Sequence, residues 1–320
     1  MTRLKVVRKA LHDDAAHTLI TGATGFIGAA LARALHDAGE KTVLLVRDDT
    51  GNWPPANGVV RGDVRDYATC VRVLADYRVN RIYHLAAQSI VATCSDDPVG
   101  ALDVNVMGTA KLLQAARSVG LHPRVVVMTS DKVYGSAPSP YTEDTALDAR
   151  NAYEVSKAAQ DLVARMFFHN YEMDVSVVRA VNVYGPGDPN DTRLIPRTVQ
   201  RCLRGVAPVI HAGASEMVRA YTYIDDMVSA LRVIAAKGVA GDAYCVGSPE
   251  ILSVREVAKT ICDLLSVPFD AIEGERRDGF KEIAEQSIDD RKLRRLGWES
   301  TTTFVQGIHL TIDAYRRGDT

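Results

Sequence analysis

The sequence predicts a doubly wound α/β fold: a parallel sheet covered by helices on both faces, followed by a smaller mixed α/β lobe. Three observations predict it. From about residue 17 to 180, short apolar, β-branched runs alternate with amphipathic stretches of helical length. Most of those runs are apolar throughout, as befits strands buried on both faces. A glycine-rich turn joins the first run to the first helix. At 320 residues the chain can form one large α/β unit or two domains sharing a cleft, with a core that needs no disulfide.

The elements follow in order. Residues 1–16 read as an N-terminal arm without the apolar run of a secretory signal. Thr18–Thr21 is the first strand, and the stretch from Phe26 to Ala38 the first helix. Thr42–Val46 is the second strand and Val59-Val60 belongs to the third, with a helix over about 67–77 after it. Arg81–Leu85 is the next strand. Asp97-Pro98 starts a helix that runs to about Val119, since proline suits the first helical position. Val125–Met128, a helix capped by Asn151 and running to about Tyr171, and a strand over 175–178 complete the series. Further on, helices are expected near 193–205, 225–236, 253–265 and 302–317. The expected division is 17–180 as the dinucleotide-binding unit, with 215–240 returning to it, and 181–214 with 241–320 as the smaller lobe.

Composition excludes several classes. The formal net charge is −2, with no basic block, which argues against a nucleic-acid binder. No run approaches ~18 apolar residues, so no membrane span is expected. The five cysteines, at 70, 94, 202, 245 and 262, form no CxxC pair. That fits a reducing, cytoplasmic setting, and no metal site is expected.

The turn Gly22-Ala23-Thr24-Gly25-Phe26-Ile27-Gly28 carries the first chemistry. Its glycines permit a tight turn and close backbone approach to a pyrophosphate, and the helix N-terminus adds free N–H groups and partial positive charge. A strand before it and a helix after it supply the context that a lone glycine triplet lacks. The cofactor is therefore read as NAD(P). A carboxylate at the end of the second strand would bind the ribose 2′-hydroxyl of NAD. Counting from Gly39, that place falls at Val46, followed by Arg47 and Asp48. Arg47 there suits the 2′-phosphate of NADP, towards which the reading leans. Asp48 serves NAD if the turn is one or two residues longer.

Tyr153 and Lys157 stand four residues apart on a predicted helix and share one face. A free phenol, with its pKa of ~10, is a poor base at neutral pH, and a nearby ammonium is expected to lower that value. A phenolate can take a hydroxyl proton while hydride leaves the same carbon.

The GxxGxxG spacing, His84-Leu85-Ala86-Ala87-Gln88, Asn105 with Gly108-Thr109, Tyr153-Glu154-Val155-Ser156-Lys157 and Arg179–Gly187 occur in family order. Together they resemble the extended short-chain dehydrogenase/reductase family, and the resemblance covers nearly the whole chain from residue 17. It implies a Rossmann sheet and places Asp63 and Val64 near the adenine. Leu85, Ala86 and Ala87 fall beside the nicotinamide ribose, Asn105 of the central-helix motif is implied as a further cofactor residue, and Gln88 and Ser89 fall at the substrate. Ser130 is implied as the hydroxyl that hydrogen-bonds the reacting oxygen. The family also implies a homodimer through a four-helix bundle built from helices at about 99–119 and 153–171.

Within the family, Ser130-Asp131-Lys132 resembles the nucleotide-sugar 4,6-dehydratases, above all those acting on CDP-glucose. Oxidation at C4 of a hexose makes the C5 proton acidic. A base then removes it, an acid protonates the leaving C6 hydroxyl, and hydride returns to C6. Asp131 is read as the acid. Lys132 assists the C5 proton transfer or orients its neighbours, and an Asp131–Lys132 ion pair that merely stiffens a loop is the plainer alternative. The segment from Gly187 to Pro196, which holds Arg193, Leu194 and Ile195, looks like the branch's GGDW…DRLIP stretch, and Glu282–Gln286 like its EIxxQ stretch. Asn182 matches a position that meets the substrate diphosphate, and Arg219 and Arg276 or Arg277 match positions near the diphosphate or nucleoside, where the arginine fork suits phosphate oxygens. The loop SAPSPYTED after Gly135 is closer to epimerases and 4-keto-sugar reductases. The expected function is thus an NDP-sugar 4,6-dehydratase with a recycled nicotinamide, a CDP-hexose being one candidate substrate. The alternatives are a C4 or C2 epimerase, an NADPH-dependent 4-keto-sugar reductase and a cofactor-sensing interaction protein.

Overall fold

The computed structural model describes residues 16–47, 51–270, 272–274 and 283–318. Most of the expected arm, together with Asp48, Arg276, Arg277 and Glu282, lies outside them. The chain first builds β1 (Thr18–Thr21), α1 (Phe26–Asp37), β2 (Thr42–Val46), β3 (Gly58–Arg61), α2 (Tyr67–Asp76) and β4 (Arg81–His84). Next come α3 (Val91–Asp96), then α4 (Pro98–Leu102), which continues through a π-helical turn (Asp103–Gly108) into α5 (Thr109–Ser118). After β5 (Arg124–Met128) and a short 3-10 turn (Asp131–Tyr134) come α6 (Ala152–Tyr171) and β6 (Val175–Ala180). The remainder is β7 (Asn182–Tyr184), α7 (Leu194–Leu203), β8 (Val209–His211), β9 (Val218–Tyr223), α8 (Ile224–Lys237) and β10 (Ala243–Val246). It ends with β11 (Ile251–Ser253), α9 (Val254–Leu265), β12 (Ile272–Gly274), β13 (Glu285–Gln286), α10 (Arg291–Arg294) and α11 (Phe304–Arg317).

Seven parallel strands form the large sheet in the order β10-β6-β5-β4-β1-β2-β3. Alternation along each strand sends side chains to opposite faces. Leu19, Val43, Val125 and Val127 pack with Val73, Leu112 and Phe167, from α2, α5 and α6, on one face. Ile20, Leu44 and Val126 pack with Leu31, Met227 and Leu231, from α1 and α8, on the other. Both faces are therefore covered, which explains why the middles of the central strands are apolar while most of their polar residues stand at the strand ends.

The lobe is built on β9, which pairs with β11, β13 and β7, while β12 pairs with β8. Its core joins Tyr184, Ile195, Val199, Tyr221, Val257, Ile261, Phe304 and Ile308. The segment returning to the large sheet is 224–246, not 215–240. β9 belongs to the lobe, whereas α8 covers the sheet and β10 extends its edge beside β6. The cause is the apolar strand Ala243–Val246, fully buried and paired with β6, which lies beyond the expected boundary at 241. Among the described residues, no helix is long and apolar enough to cross a membrane.

Candidate active site

A cavity of about 1260 Å³ opens between the glycine turn, the loops that follow β4, β5 and β6, and the lobe. In parallel sheets that end of the strands is the usual ligand site. Gly22, Thr24, Gly25, Phe26, Ile27 and Gly28 line one end. Gly22 sits at φ +71°, and a Cβ there would fall 2.7 Å from the Ala86 nitrogen. A Cβ on Gly28 would fall 2.1 Å from the Gly22 carbonyl oxygen. The turn is thus packed backbone to backbone, as the glycine reading requires. No side chain caps α1 at Gly25, so its first N–H groups are left for a ligand. Arg47, Asp63, Val64, Leu85, Ala86 and Ala87 line the same region. The Arg65 guanidinium chelates Asp63 (3.0 and 2.8 Å) and holds its carboxyl below the usual range. This cradle, with an uncapped helix end and a backbone-only turn, fits a dinucleotide.

Asn105 is fully buried and does not line the cavity. Its Oδ1 accepts from the Gln88 N–H (2.7 Å), and its Nδ2 donates to the Gln88 carbonyl (3.1 Å) and to Ser156 Oγ (2.8 Å). The expected cofactor contact is therefore a brace on the loop after β4. Gln88 itself is off the cavity wall, while Ser89 is on it.

β5 ends at Met128 and delivers Thr129, Ser130, Asp131 and Lys132 to the cavity. Thr129 N–H donates to the Val178 carbonyl (2.7 Å), which fixes the exit of the strand. Ser130 caps the 3-10 turn, accepting from the Lys132 N–H (3.2 Å) and donating to Asp131 Oδ1 (3.0 Å). Its hydroxyl also reaches the Tyr153 phenol. Asp131 is almost fully buried, and Lys132 Nζ stands 3.5 Å from its Oδ2. The Lys132 amine also donates to Gln286 Oε1. Burial draws the Lys132 ammonium below its ordinary range against the pull of Asp131.

α6 presents Tyr153 and Lys157 together because its start is fixed. Asn151 Oδ1 accepts from the Glu154 N–H (3.0 Å), and Glu154 Oε2 accepts from the Asn151 N–H (3.3 Å) and the Arg150 N–H (2.9 Å). The expected lowering of the phenol is not what this arrangement produces. Burial pushes Tyr153 up to about 12, against the Ser130 hydrogen bond, which pulls it down. The Lys157 Nζ donates instead to the Met128 carbonyl (3.1 Å) and Gln160 Oε1 (2.8 Å). Burial also brings Lys157 down to about 8.

Behind the lysine runs a buried chain that the sequence did not reveal. Gln160 Nε2 donates to Thr109 Oγ1 (3.0 Å), and Thr109 donates to the Asn105 carbonyl (2.6 Å). His84 Nε2 meets the same Thr109 oxygen and its Nδ1 meets Thr21 Oγ1, both at 2.8 Å. Thr21 Oγ1 accepts from the Ala86 N–H (3.2 Å). This network ties the lysine to the strand that enters the glycine turn.

The lobe supplies the far wall with Asn182, Arg193, Leu194, Ile195, Arg219 and Gln286. Arg193 is held by buried Asp188 at 3.0 Å. Arg219 donates to the carbonyls of Val218 (2.8 Å) and Ala284 (3.3 Å). Glu154 and Gln286, both on the cavity wall, were not singled out as site residues from sequence. The Asn-x-x-Glu capping spacing could have drawn attention to Glu154, and Gln286 ends the EIxxQ-like stretch, which gave it no role at the site.

A family model described as GDP-mannose 4,6 dehydratase matches residues 19–311. The chain is similar to dTDP-glucose 4,6-dehydratase of Xanthomonas campestris, 31% identical over 332 residues that cover 94% of this chain and 93% of the relative. It is similar to UDP-glucose 4-epimerase of Mycolicibacterium smegmatis, 30% identical over 313 residues that cover 93% and 98%. Among solved structures, it resembles a dTDP-glucose 4,6-dehydratase of Streptomyces venezuelae with NAD bound, at a TM-score of 0.86 and 30% identity, covering 94% and 97%.

Proposed function

Because the chain belongs to the GDP-mannose 4,6 dehydratase family of nucleotide-sugar enzymes, we propose that it dehydrates an NDP-hexose to the 4-keto-6-deoxy sugar. One observation carries the choice of reaction: an acid and an amine, Asp131 and Lys132, stand 3.5 Å apart in the same cavity as the Tyr153 phenol. A simple alcohol–ketone exchange at C4 needs only the phenol. Loss of water across C5 and C6 needs two further proton carriers, and this pair supplies them.

Gly22, Gly25, Gly28, Asp63 and the 85–87 backbone would hold the dinucleotide. When bound, its oxidised nicotinamide accepts a hydride and adds positive charge, which opposes the upward push of burial on the phenol. Tyr153 Oη takes the proton from the C4 hydroxyl while Ser130 Oγ hydrogen-bonds the same oxygen. Lys132 Nζ takes the C5 proton, and Asp131 gives its proton to the departing C6 hydroxyl. Ser130 touches both the phenol and Asp131 and so offers a short path by which the proton left on Tyr153 replaces the one Asp131 has lost. Asn182, Arg193 and Arg219 are assigned to the nucleoside diphosphate, with Arg276 or Arg277, which fall outside the described residues. Arg47 favours NADP, while the solved neighbour carries NAD. Mass spectrometry of the dinucleotide released on denaturation decides between them.

Incubation with CDP-, GDP-, UDP- and dTDP-glucose followed by product NMR tests the reaction. A 4-keto-6-deoxy product supports it and shows which base is accepted, with CDP suggested by Ser130-Asp131-Lys132 and dTDP by the relative in Xanthomonas. A C4 or C2 epimer formed without loss of water overturns it in favour of the epimerase reading, which the Mycolicibacterium relative supports. The proposal includes a cytoplasmic location, consistent with five buried free thiols, and a homodimer.

A further inference from the structure

On the reading that Lys132 carries the C5 proton, we propose that Gln286 is a positioning residue that aims the Lys132 amine at the reacting carbon. A neutral amine nitrogen is tetrahedral, with one bond to carbon, two N–H bonds and a lone pair. Here Asp131 Oδ2 and Gln286 Oε1 offer acceptors for the two N–H groups. The fourth direction is left for the lone pair, and that is the direction in which a proton is taken. Without the Gln286 oxygen, the amine is free to turn about its carbon–nitrogen bond.

Gln286 is well placed for this work. It is 2% exposed and sits on a two-residue strand, β13, in register with Arg219 of β9. The next residue is clamped: the Ser287 N–H donates to Ser139 Oγ (2.9 Å), and the Ser287 carbonyl accepts from the Tyr141 N–H (2.9 Å). The amide is therefore anchored at its backbone and not borne on a loose loop.

The choice of an amide also has a reason. Asp131 and Glu154 face Lys132 and favour its charged form, while Arg219 from β9 opposes it. A further carboxylate at position 286 would hold the lysine protonated and unable to accept a proton. Glutamine takes the N–H without adding charge. In the step itself, the C5–H bond breaks and its proton goes to Nζ. Its electron pair forms the C5–C6 double bond as the C6–O bond breaks, and the Asp131 proton completes the departing water.

The test uses the whole enzyme with Gln286→Glu and Gln286→Leu. The reactivity of Lys132 towards acetic anhydride, followed by peptide mass spectrometry across pH, reads the amine without turnover. Gln286→Glu is expected to raise the pH of half-reactivity by about one unit or more, and to move the acid limb of the kcat profile with it. Gln286→Leu is expected to lower kcat about a hundredfold with KM little changed. Labelling and kcat profiles in both variants that match those of the wild type overturn the proposal. If the labelling shifts but the wild type dehydrates no hexose, the dehydratase reading falls, and the role at C5 falls with it.

Discussion

At His84, two threonine hydroxyls enclose an imidazole that has no exposed surface. Thr109 Oγ1 spends its proton on the Asn105 carbonyl and so accepts from the His84 Nε2–H, which leaves Nδ1 as the acceptor for the Thr21 hydroxyl, a bond that a second ring proton would break. Burial drives the His84 pKa from 6.5 down to about 3, with a smaller push from Lys157. The unfolded chain binds the proton first, so the stability His84 provides is complete above 6.5 and drains away as pH falls towards 3. Between pH 6.5 and about 5 the loss is about 2 kcal/mol. Urea denaturation across that range should show the slope in the wild type and a flatter one in His84→Gln. Equal slopes would remove His84 as its cause. Tyr153 and Lys157 could be read from the sequence because their chemistry is packed into one helical turn. The EIxxQ-like stretch marked Gln286, but its meeting with Lys132 could not be read, since Lys132 lies 154 residues earlier and only the sheet of the lobe brings them together. The raised phenol was equally hidden, because burial is a property of the packed site and not of the Tyr-x-x-x-Lys spacing.

Among the elements, α1 and α6 carry the site, and each is held by a feature of different visibility. Long helices and strands buried on both faces announce themselves by period and composition, so α6, α8, α9 and the first six strands of the sheet were legible. The lobe strands of two to six residues owe their form to pairing with distant partners, and the π-helical turn inside α4–α5 leaves no trace in apolar spacing. Arg179 shows the same limit. It falls in a stretch resembling a substrate loop, yet its guanidinium is buried on Asp161 of α6 at 2.7 Å and ties that helix to β6. The glycine turn was legible because glycine leaves few alternatives where backbones touch. Gly28→Ala puts a methyl group where the Gly22 oxygen already lies, so α1 must move off the turn. In the wild type, the preferred dinucleotide at a hundred times its Kd should stabilise the fold by about 2.7 kcal/mol. In Gly28→Ala that gain should vanish while circular dichroism still reports a folded α/β protein. A retained thermal shift would show that the close approach is dispensable.

The two helical layers of the molecule differ in what they show to solvent, and this difference bears on assembly. The outer side of α1 and α8 carries Arg33, His36, Asp37, Asp225, Ser229 and Arg232, all exposed. The layer of α4, α5 and α6 instead exposes Val99 (74%), Leu102, Met107, Val155, Leu162 (57%) and Met166. Ala164 and Phe167 of α6 are spent on the sheet, whereas the stripe at 155, 162 and 166 stays exposed among the described residues. Apolar residues grouped on one layer are the mark of a surface awaiting a partner. A second copy is the partner we propose, because a two-fold axis between antiparallel helix pairs lets one stripe cover its own image. Leu162→Glu tests this at the centre of the stripe, placing like charges close to the axis in both copies. Sedimentation should find the wild type as a dimer and this variant as a monomer. Tyr153 and Lys157 lie on the opposite side of α6, so dinucleotide binding should survive in the variant. A wild type that sediments as a monomer, or a variant that remains dimeric, would move the interface off this layer.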